Sequence, residues 1–338
     1  MQRRTGLVKS VFSAAALFVL IIDGKTALSA GLEAVDLCMR VLIPSLFPFF
    51  VISALLTGSN SGLSKLFLPL RRLLRLPKGT ETILMVGFLG GYPVGAAAIG
   101  EYVRSGSLPK EQARRMMAFC SNAGPSFLFG IGAQLFPSVW FCWLLWLVHI
   151  LSALLVGALT PGVGGKMEKR EIKPVTLTAA LQKGIKVMAT VCGWVILFRI
   201  MIRFIERWFL RAANEPIKIA ISGILELANG CCQLGSISTA GFQFILFSAF
   251  IGFGGFCVWL QTRSVAEGVD LSLYLPGKLT QTAISVLLST MSQVLLPCEW
   301  RYNPPLWVLL IAVAVCVFYP MILAKNEKRC GNPCAVSV

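Results

Sequence analysis

Two apolar runs in the first half of the chain approach membrane-spanning length, and each is broken in its middle. Ile83–Val103 is interrupted at Gly90-Gly91-Tyr92-Pro93-Val94-Gly95, and Met116–Phe136 is interrupted at Ser121-Asn122-Ala123-Gly124-Pro125-Ser126. Proline lacks a backbone N–H and glycine adds backbone freedom, so neither run should form one straight helix. Inside a bilayer, the freed N–H and C=O groups need protein or a water-filled cavity to satisfy them.

Paired broken segments of this kind are typical of transporters whose substrate site lies near the bilayer midplane. Both breaks mix glycine and proline with side chains that form hydrogen bonds, which favours a binding site. The alternative is a pair of kinked helices that pack closely through small residues. The candidate substrate-binding residues in the two breaks are Gly90, Gly91, Tyr92, Pro93, Gly95, Ser121, Asn122, Gly124, Pro125 and Ser126.

The composition is that of a membrane protein. Of the 338 residues, 56% are hydrophobic and only 14% are charged, and the mean hydropathy is +0.75. A net charge of +16 could indicate nucleic-acid binding, but the basic residues lie in short loops between apolar runs. In such loops they act as topology signals and contact anionic lipid, so we expect a lipid bilayer and no nucleic acid as partner.

Neither a metal site nor a catalytic site is predicted. The 11 cysteines are scattered mainly through the apolar runs, and Cys330 and Cys334 have no further Cys or His nearby. The single histidine, His149, lies in a Trp- and Leu-rich run and is interpreted as a packed residue rather than a ligand. The chain has no HExxH or GxSxG motif, so we expect neither an enzyme nor a bound cofactor.

The basic loops determine the predicted topology. Loops 58–81, 104–115 and 161–184 are all basic, so all three should be cytoplasmic. Only one broken run lies between the first two loops, so it should enter the membrane and return to the same side. Carried through the chain, this reasoning predicts an all-α polytopic membrane protein with about eight transmembrane helices, two re-entrant or broken helical hairpins and both termini inside.

The second half repeats the order of elements of the first half, which predicts an inverted repeat. Its broken runs are Ile217–Leu234 and Phe242–Leu260, whereas Leu279–Leu296 and Leu306–Leu323 are interpreted as plain spanning helices. The breaks of this half add the candidate substrate-binding residues Asn229, Gly230, Gly254 and Gly255. The predicted segments are an N-terminal transmembrane helix at 1–30, a first repeat at 31–160, a cytoplasmic basic linker at 161–184, a second, inverted repeat at 185–325 and a C-terminal tail at 326–338.

Two kinds of charged residue in the second half could serve transport. Glu226 lies beside a predicted break deep in an apolar run, where a carboxylate is costly, so it could carry a coupling proton or sodium ion. The alternative is a glutamate in water at the tip of a hairpin. An arginine recurs every fourth residue at Arg199, Arg203, Arg207 and Arg211, so the four line one helix face. This row could attract dianions or contact lipid headgroups. Arg199 lies deepest in the membrane and is the best candidate anion ligand of the four.

Several stretches resemble the sporulation integral membrane protein family typified by YlbJ, or stage V sporulation protein V, which belongs with the nucleoside recognition (Gate) domain proteins. They are Pro44–Phe50, Gly90–Ala96 and Phe119–Pro125 in the first half, and Leu225–Gly230 and Gly252–Gln261 in the second. The resemblance implies a multi-pass membrane protein of endospore-forming bacteria. It also implies movement of dipicolinate, a small aromatic dicarboxylate, from the mother cell toward the forespore.

The leading interpretation is therefore a transporter of a small organic anion in the cell membrane, which the resemblance places in the outer forespore or mother-cell membrane. A broken helix presents its free N–H groups and positive dipole end to an anion, and Tyr92 could stack on an aromatic ring. Two alternatives are a membrane scaffold for a spore-assembly complex and a nucleoside-type Gate permease. The sequence leaves the oligomeric state open.

Overall fold

The computed structural model describes residues 14, 17–57, 62–162, 167, 175–296 and 301–329. Over these ranges most residues are helical and no strand is present. The predicted all-α polytopic membrane fold is confirmed, whereas the number of crossings, about eight, stays a prediction. Much of the predicted N-terminal helix and of the C-terminal tail, including Cys330 and Cys334, lies outside the described residues. The helical stretches here that are long and apolar enough to cross a membrane are 24–56, 139–159, 177–208, 240–265 and 306–323.

The first half begins with a long helix and ends with another. A short π-helical segment, Cys38–Leu42, joins the first two helices into one continuous stretch. It lies one turn before Pro44, whose ring would clash with the carbonyl of Arg40 in a regular α-helix. The helices are α1 (Gly24–Leu37), α2 (Ile43–Thr57), α3 (Leu68–Leu73), α4 (Glu81–Leu89), α5 (Val94–Arg104), α6 (Lys110–Met117), α7 (Pro125–Leu135) and α8 (Val139–Leu159).

The second half has the same order of elements: a long helix, a hairpin of short helices, a broken helix and another long helix. Its first helix starts inside the stretch predicted as a linker, because Thr176 caps it by accepting a hydrogen bond from the Ala179 N–H. The helices are α9 (Leu177–Trp208), α10 (Glu215–Leu225), α11 (Leu227–Gln233), α12 (Ala240–Phe253), α13 (Gly255–Val265), α14 (Tyr274–Ser292) and α15 (Leu306–Arg329).

The broken run Ile83–Val103 folds back on itself as a hairpin of α4 and α5. These helices have 9 and 11 residues, so each is only about half as long as the roughly 30 Å bilayer core is thick. The two helices touch through glycines: a Cβ on Gly95 would lie 2.8 Å from the Gly87 Cα. Helices α10 and α11 form the corresponding hairpin, in which a Cβ on Gly230 would lie 2.1 Å from the Gly223 Cα.

The two halves pack along each other through their long helices. Helix α9 contacts α1 and α2, and α14 contacts α8, α12 and α15. The hairpins and the broken helices lie between these pairs, with α13 against α5 and α11 against α7. The breaks of both halves are therefore enclosed by protein, which is where a bilayer tolerates non-helical backbone.

Two residues predicted as part of a basic loop at 104–115 are instead buried. Arg115 is 2% exposed on α6 and donates hydrogen bonds to the carbonyls of Leu74 (2.7 Å), Gly157 and Thr160. Arg114 is 6% exposed and pairs with Glu111 at 2.9 Å. Arg115 thus ties α6 to the ends of α3 and α8, because helix ends leave carbonyls unsatisfied. Its charge stabilises the fold rather than marking a surface loop.

Close packing at the α4–α5 hairpin predicts that adding one methyl group at Gly87 destabilises the fold. A Cβ on Gly87 would lie 2.2 Å from the Cys120 carbonyl oxygen, so Gly87→Ala should lower the free energy of unfolding by about 1–3 kcal/mol or more. Gly193→Ala is the matched control, since no atom lies within 4 Å of its Cβ position on α9. This control should be neutral or stabilising by up to about 1 kcal/mol. Thermal unfolding of both purified variants measures the difference, and equal stability would contradict the packing.

The hairpin also predicts the sidedness of the neighbouring loops. Single cysteines at Lys78 and Ser105, both exposed, should react with an impermeant thiol reagent from the same side of the membrane. A cysteine at Ala212, beyond the far end of α9, should react from the opposite side. The background is a variant that lacks the 11 native cysteines. Labelling of positions 78 and 105 from opposite sides would exclude a re-entrant hairpin.

Candidate functional site

All four helix breaks meet in one place. A Cβ on Gly91 would lie 3.3 Å from the Gly124 backbone nitrogen, so the two first-half breaks touch. A Cβ on Gly254 would lie 3.2 Å from the Tyr92 ring, and one on Gly255 would lie 3.3 Å from the Leu227 nitrogen. These contacts bring the second-half breaks to the same point. Glycine is required in part by backbone conformation, because φ is +78° at Gly91 and +84° at Gly254.

Four half-helices start at these breaks and direct their N-terminal ends toward a common centre. They are α5, α7, α11 and α13, which begin at Val94, Pro125, Leu227 and Gly255. Pro125 occupies the first position of α7, where the missing N–H costs nothing. Helix N-termini carry free N–H groups and a partial positive charge, so their convergence makes the centre favourable for anions.

A small central cavity lies between the breaks. Its volume is about 40 Å³, which is room for about three water molecules. At this volume the cavity admits no ligand larger than a few water molecules, and we call this conformation closed. The central cavity is lined by Tyr92, Ala123, Gly124, Glu226, Leu227, Ala228 and Gln261, together with apolar side chains of the continuous α1–α2 stretch and of α7, α9 and α13.

A buried lysine that the sequence analysis overlooked lies behind Tyr92. The ammonium group of Lys278, on α14, is 0% exposed and donates to the Tyr92 hydroxyl at 3.1 Å and the Gln281 carboxamide oxygen at 2.8 Å. It also donates to the Ser121 carbonyl and, at 3.4 Å, to the Asn122 side-chain oxygen. No carboxylate among the described residues pairs with it. Lys278 is therefore a buried cation held only by neutral dipoles, at the contact between the two first-half breaks.

Asn122 is fully used in holding this arrangement. Its side-chain N–H groups donate to the carbonyls of Phe119 (2.7 Å) and Gly87 (3.4 Å), and its oxygen accepts from Gln281 at 3.0 Å. Asn122 does not line the central cavity. Its role in the closed conformation is to position Lys278 and Gln281 rather than to face a ligand.

The overlooked signal is a polar stripe along α14. Lys278, Gln281, Ser285 and Ser289 are spaced three or four residues apart, and all four are 0% exposed. The plain spanning helix predicted to begin at Leu279 begins instead at Tyr274 and includes the lysine. Polar residues at helical spacing in an apolar run could have revealed the buried face.

Glu226 is buried rather than exposed at a hairpin tip. It is 2% exposed and is the N-cap of α11, where its two carboxylate oxygens accept hydrogen bonds from the Ala228 N–H (3.1 Å) and the Asn229 N–H (2.6 Å). The Asn229 side chain donates a further bond at 2.7 Å. A carboxylate at a helix N-terminus is well stabilised. The central cavity thus has one buried acid at its wall and one buried base behind Tyr92.

The remaining candidate residues divide into those near the centre and those that pack helices. The Ser121 and Ser126 hydroxyls, both at the second break, have no hydrogen-bond partner among the described residues. Gly90 packs on the Val86 carbonyl and Ser53, and Pro93 is the N-cap of α5 in a cis peptide bond with Tyr92. Gly95 lets α5 pack closely on α4, and Gly230 lets α11 pack closely on α10, so both glycines stabilise their hairpins.

Arg199 does not line the central cavity. Its guanidinium binds Glu33 of α1 at 2.6 Å, and it lines a wider cavity of about 610 Å³ at the end of α9. We call this cavity the vestibule. It is lined by six basic and two acidic side chains, which are Lys25, Arg199, Arg203, Arg207, Arg211, Lys218, Glu206 and Glu215, with Thr26, Ser29 and Gln233.

His149 contacts the second break directly. It is 0% exposed on α8, and its Nε2 accepts a hydrogen bond from the Ala123 N–H at 3.1 Å. Because Nε2 accepts, this nitrogen carries no proton. The histidine therefore binds one of the backbone groups that the break frees and supports the non-helical conformation there.

The fold and this centre define an all-α polytopic membrane protein in which broken helices of both halves enclose a cavity between two buried charges. The chain is similar to the sporulation integral membrane protein YlbJ of Bacillus subtilis (strain 168), with 23% identity over 294 residues, or 73% of this chain and 72% of YlbJ. The predicted resemblance to the YlbJ family is thereby confirmed. No protein-family model and no solved structure matches the chain, so a Gate domain stays a prediction.

Proposed function

We propose that this protein transports a small organic anion across the membrane and that Lys278, which lies behind Tyr92 and does not line the central cavity in this structure, becomes the principal anion ligand when the Tyr92 side chain moves aside. The observation that carries the proposal is the complete burial of the Lys278 ammonium among neutral hydrogen-bond partners. A buried charge without a counter-ion is costly, and intramembrane ionisable residues are functional by default. A carboxylate of the substrate would supply the missing negative charge.

The surroundings of Lys278 favour an aromatic dicarboxylate. The N-terminal ends of the half-helices α5, α7 and α13 add partial positive charge around the central cavity, whereas that of α11 is capped by the Glu226 carboxylate. Tyr92 lines the same cavity and offers a ring face to an aromatic substrate, while its hydroxyl holds the lysine. Dipicolinate carries two carboxylates on one aromatic ring, so its chemistry matches a site with a cation, helix N-termini and an aromatic side chain.

The similarity to YlbJ supports a role in sporulation. YlbJ is a sporulation integral membrane protein by name, and the similarity covers most of both chains. We therefore place the proposed transport of dipicolinate in the membrane that separates mother cell and forespore. Transport in this setting requires no enzymatic step and no cofactor, only a site that opens alternately to the two sides.

Two ion-pair contacts are suitably placed to keep the site closed on both sides. Val191 and Val195 of α9 line the central cavity. On one side of them Lys183 of α9 pairs with Glu101 of α5 at 3.0 Å, and on the other Arg199 pairs with Glu33. Residues 183 and 199 are 16 positions apart, or about 24 Å along the helix, so the two pairs lie well apart on opposite sides of the cavity. Opening either pair would expose the centre to one side only.

Replacing the lysine tests the proposal directly. A hydrogen bond to a charged group contributes about 1.5–3 kcal/mol, so Lys278→Met should weaken dipicolinate binding by about ten- to a hundredfold. Lys186→Met is the matched control, because Lys186 is exposed on α9 and lines neither cavity. Equilibrium binding of radiolabelled dipicolinate to purified protein in lipid nanodiscs provides the measurement.

The same variant separates a transporter from a membrane scaffold. For a transporter, the wild-type protein should bind dipicolinate and Lys278→Met should bind it more weakly at the central site, whatever the change in thermal stability. For a scaffold, the lysine would serve only to hold the two breaks together, so stability would fall and no dipicolinate would bind to either form. Inhibition by nucleosides and not by dicarboxylates would instead indicate a nucleoside permease.

Glu226 is proposed as the group that binds the coupling proton or sodium ion. Glu226→Gln should abolish accumulation of dipicolinate against a gradient but leave counterflow exchange measurable, since the amide oxygen can still accept the Ala228 and Asn229 N–H bonds. Proteoliposomes with an imposed proton or sodium gradient provide the assay. Glu267→Gln, which changes an exposed carboxylate that lines neither cavity, is the control. Undiminished accumulation by Glu226→Gln would exclude this role.

A further inference from the structure

We infer that the vestibule is a second binding site for small dicarboxylates, in series with the central cavity; the identity of its ligand rests on the proposed function. At about 610 Å³ the vestibule is large enough for a small aromatic dicarboxylate, whereas the closed central cavity is not. Six of its lining side chains are basic and two are acidic, and two further carboxylates, Glu33 and Asp23, pair with the lining arginines, so six basic groups face four acidic ones. A recessed site with one dominant sign of charge concentrates ions of the opposite sign.

The two cavities follow one another along two shared helices. On α9, Val191 and Val195 line the central cavity, and Arg199 and Arg203 line the vestibule one and two turns further on. On α11, the N-terminal residues line the central cavity and Gln233, the last residue, lines the vestibule. A helix only seven residues long therefore separates the two spaces.

The arginine row becomes more buried toward the centre. The exposed fraction of the side chain falls from 62% at Arg207 to 39% at Arg203 and 12% at Arg199. An anion that enters the vestibule thus meets progressively less hydrated guanidinium groups, which bind carboxylates more strongly than fully solvated ones. A lipid headgroup, held at the membrane surface by its acyl chains, would reach Arg207 more easily than Arg199.

Glu33 already shows how a carboxylate binds there. One of its oxygens accepts from Arg199 at 2.6 Å and the other accepts from Arg203 at 2.7 Å. One carboxylate bridging two guanidiniums is the arrangement that a substrate carboxylate would adopt. Glu33 therefore acts as an internal competitor, and an incoming dicarboxylate that displaces it also breaks the α1–α9 contact on this side of the central cavity.

The test uses the full-length protein in nanodiscs of zwitterionic lipid with radiolabelled dipicolinate as probe. Wild-type protein should bind two equivalents, and Lys278→Met should retain only the vestibule site. In the Lys278→Met background, Glu33→Gln should tighten the remaining site about three- to tenfold, because it removes the competing charge. In the same background, Arg203→Gln should weaken dipicolinate binding at the vestibule by a similar factor. Binding at the vestibule should also weaken as the salt concentration is raised. Asp36→Asn, which removes an exposed paired carboxylate of the same helix, should change nothing.

The outcomes separate this inference from the proposed function. A single equivalent that Lys278→Met abolishes would overturn the vestibule site and leave the central site standing. No binding to wild-type protein would overturn both. If Glu33→Gln does not fold, the test of the vestibule site is whether Arg203→Gln weakens dipicolinate binding in the Lys278→Met background. If an anionic phosphatidylglycerol membrane competes fully with dipicolinate at the remaining site, the vestibule is a lipid headgroup site and the inference is wrong.

Discussion

The structure depends on how the charge of Lys278 is held inside the protein. A lysine on α14 can be buried only because two helix breaks offer it carbonyl and amide oxygens from Ser121 and Asn122, with Gln281 and Tyr92 completing the shell. Continuous helices could not do this, since their carbonyls are used in their own hydrogen bonds. The breaks and the lysine therefore require one another: the oxygens satisfy the ammonium group, and the ammonium group satisfies oxygens that would otherwise be unpaired in the membrane. The Tyr92 ring contributes as well, with its centroid 5.1 Å from the ammonium nitrogen.

Glycine contacts bring these elements close enough. Helix α14 reaches the second break because Gly277, the residue before the lysine, lies against Ala118, where a Cβ would be 2.5 Å from the carbonyl oxygen. The α4–α5 hairpin meets the same segment through Gly87 and Gly95, both within 2.2 Å of the Cys120 carbonyl at their Cβ positions. Packing and binding, which the sequence presents as alternatives for these glycines, are thus two aspects of one arrangement. Small residues allow backbones to approach, and that approach forms the polar centre.

The sequence predicted the features that depend on local chemistry and missed those that depend on which distant segments pack together in the fold. The breaks at 90–95 and 121–126 could be recognised because proline and glycine interrupt a helix wherever they occur. Helix α8 spans Val139 to Leu159 because this stretch is almost entirely apolar and is preceded by a capping serine. Lys278 was missed because its burial is decided by Gly277 and Ala118, 159 residues apart in the chain. For the same reason the pairing of Arg199 with Glu33 could not be read from a row of arginines on one helix face.

The two charges at the centre are held apart, and this separation has a chemical consequence. Glu226 takes its hydrogen bonds from the N-terminal N–H groups of α11, and Lys278 gives its own to carbonyl and amide oxygens. If the two side chains formed a direct ion pair, an incoming anion would have to compete with an internal carboxylate at low dielectric, and little would be gained by binding. Under the proposed function, an anion at Lys278 and a proton or cation at Glu226 would replace neutral hydrogen-bond partners and would not have to break an ion pair. Lys278 and Glu226 carry opposite charges, so a bound dianion would leave a net negative charge, which a proton or cation at Glu226 would reduce. The proposed coupling of an anion to a cation therefore needs no contact between Lys278 and Glu226.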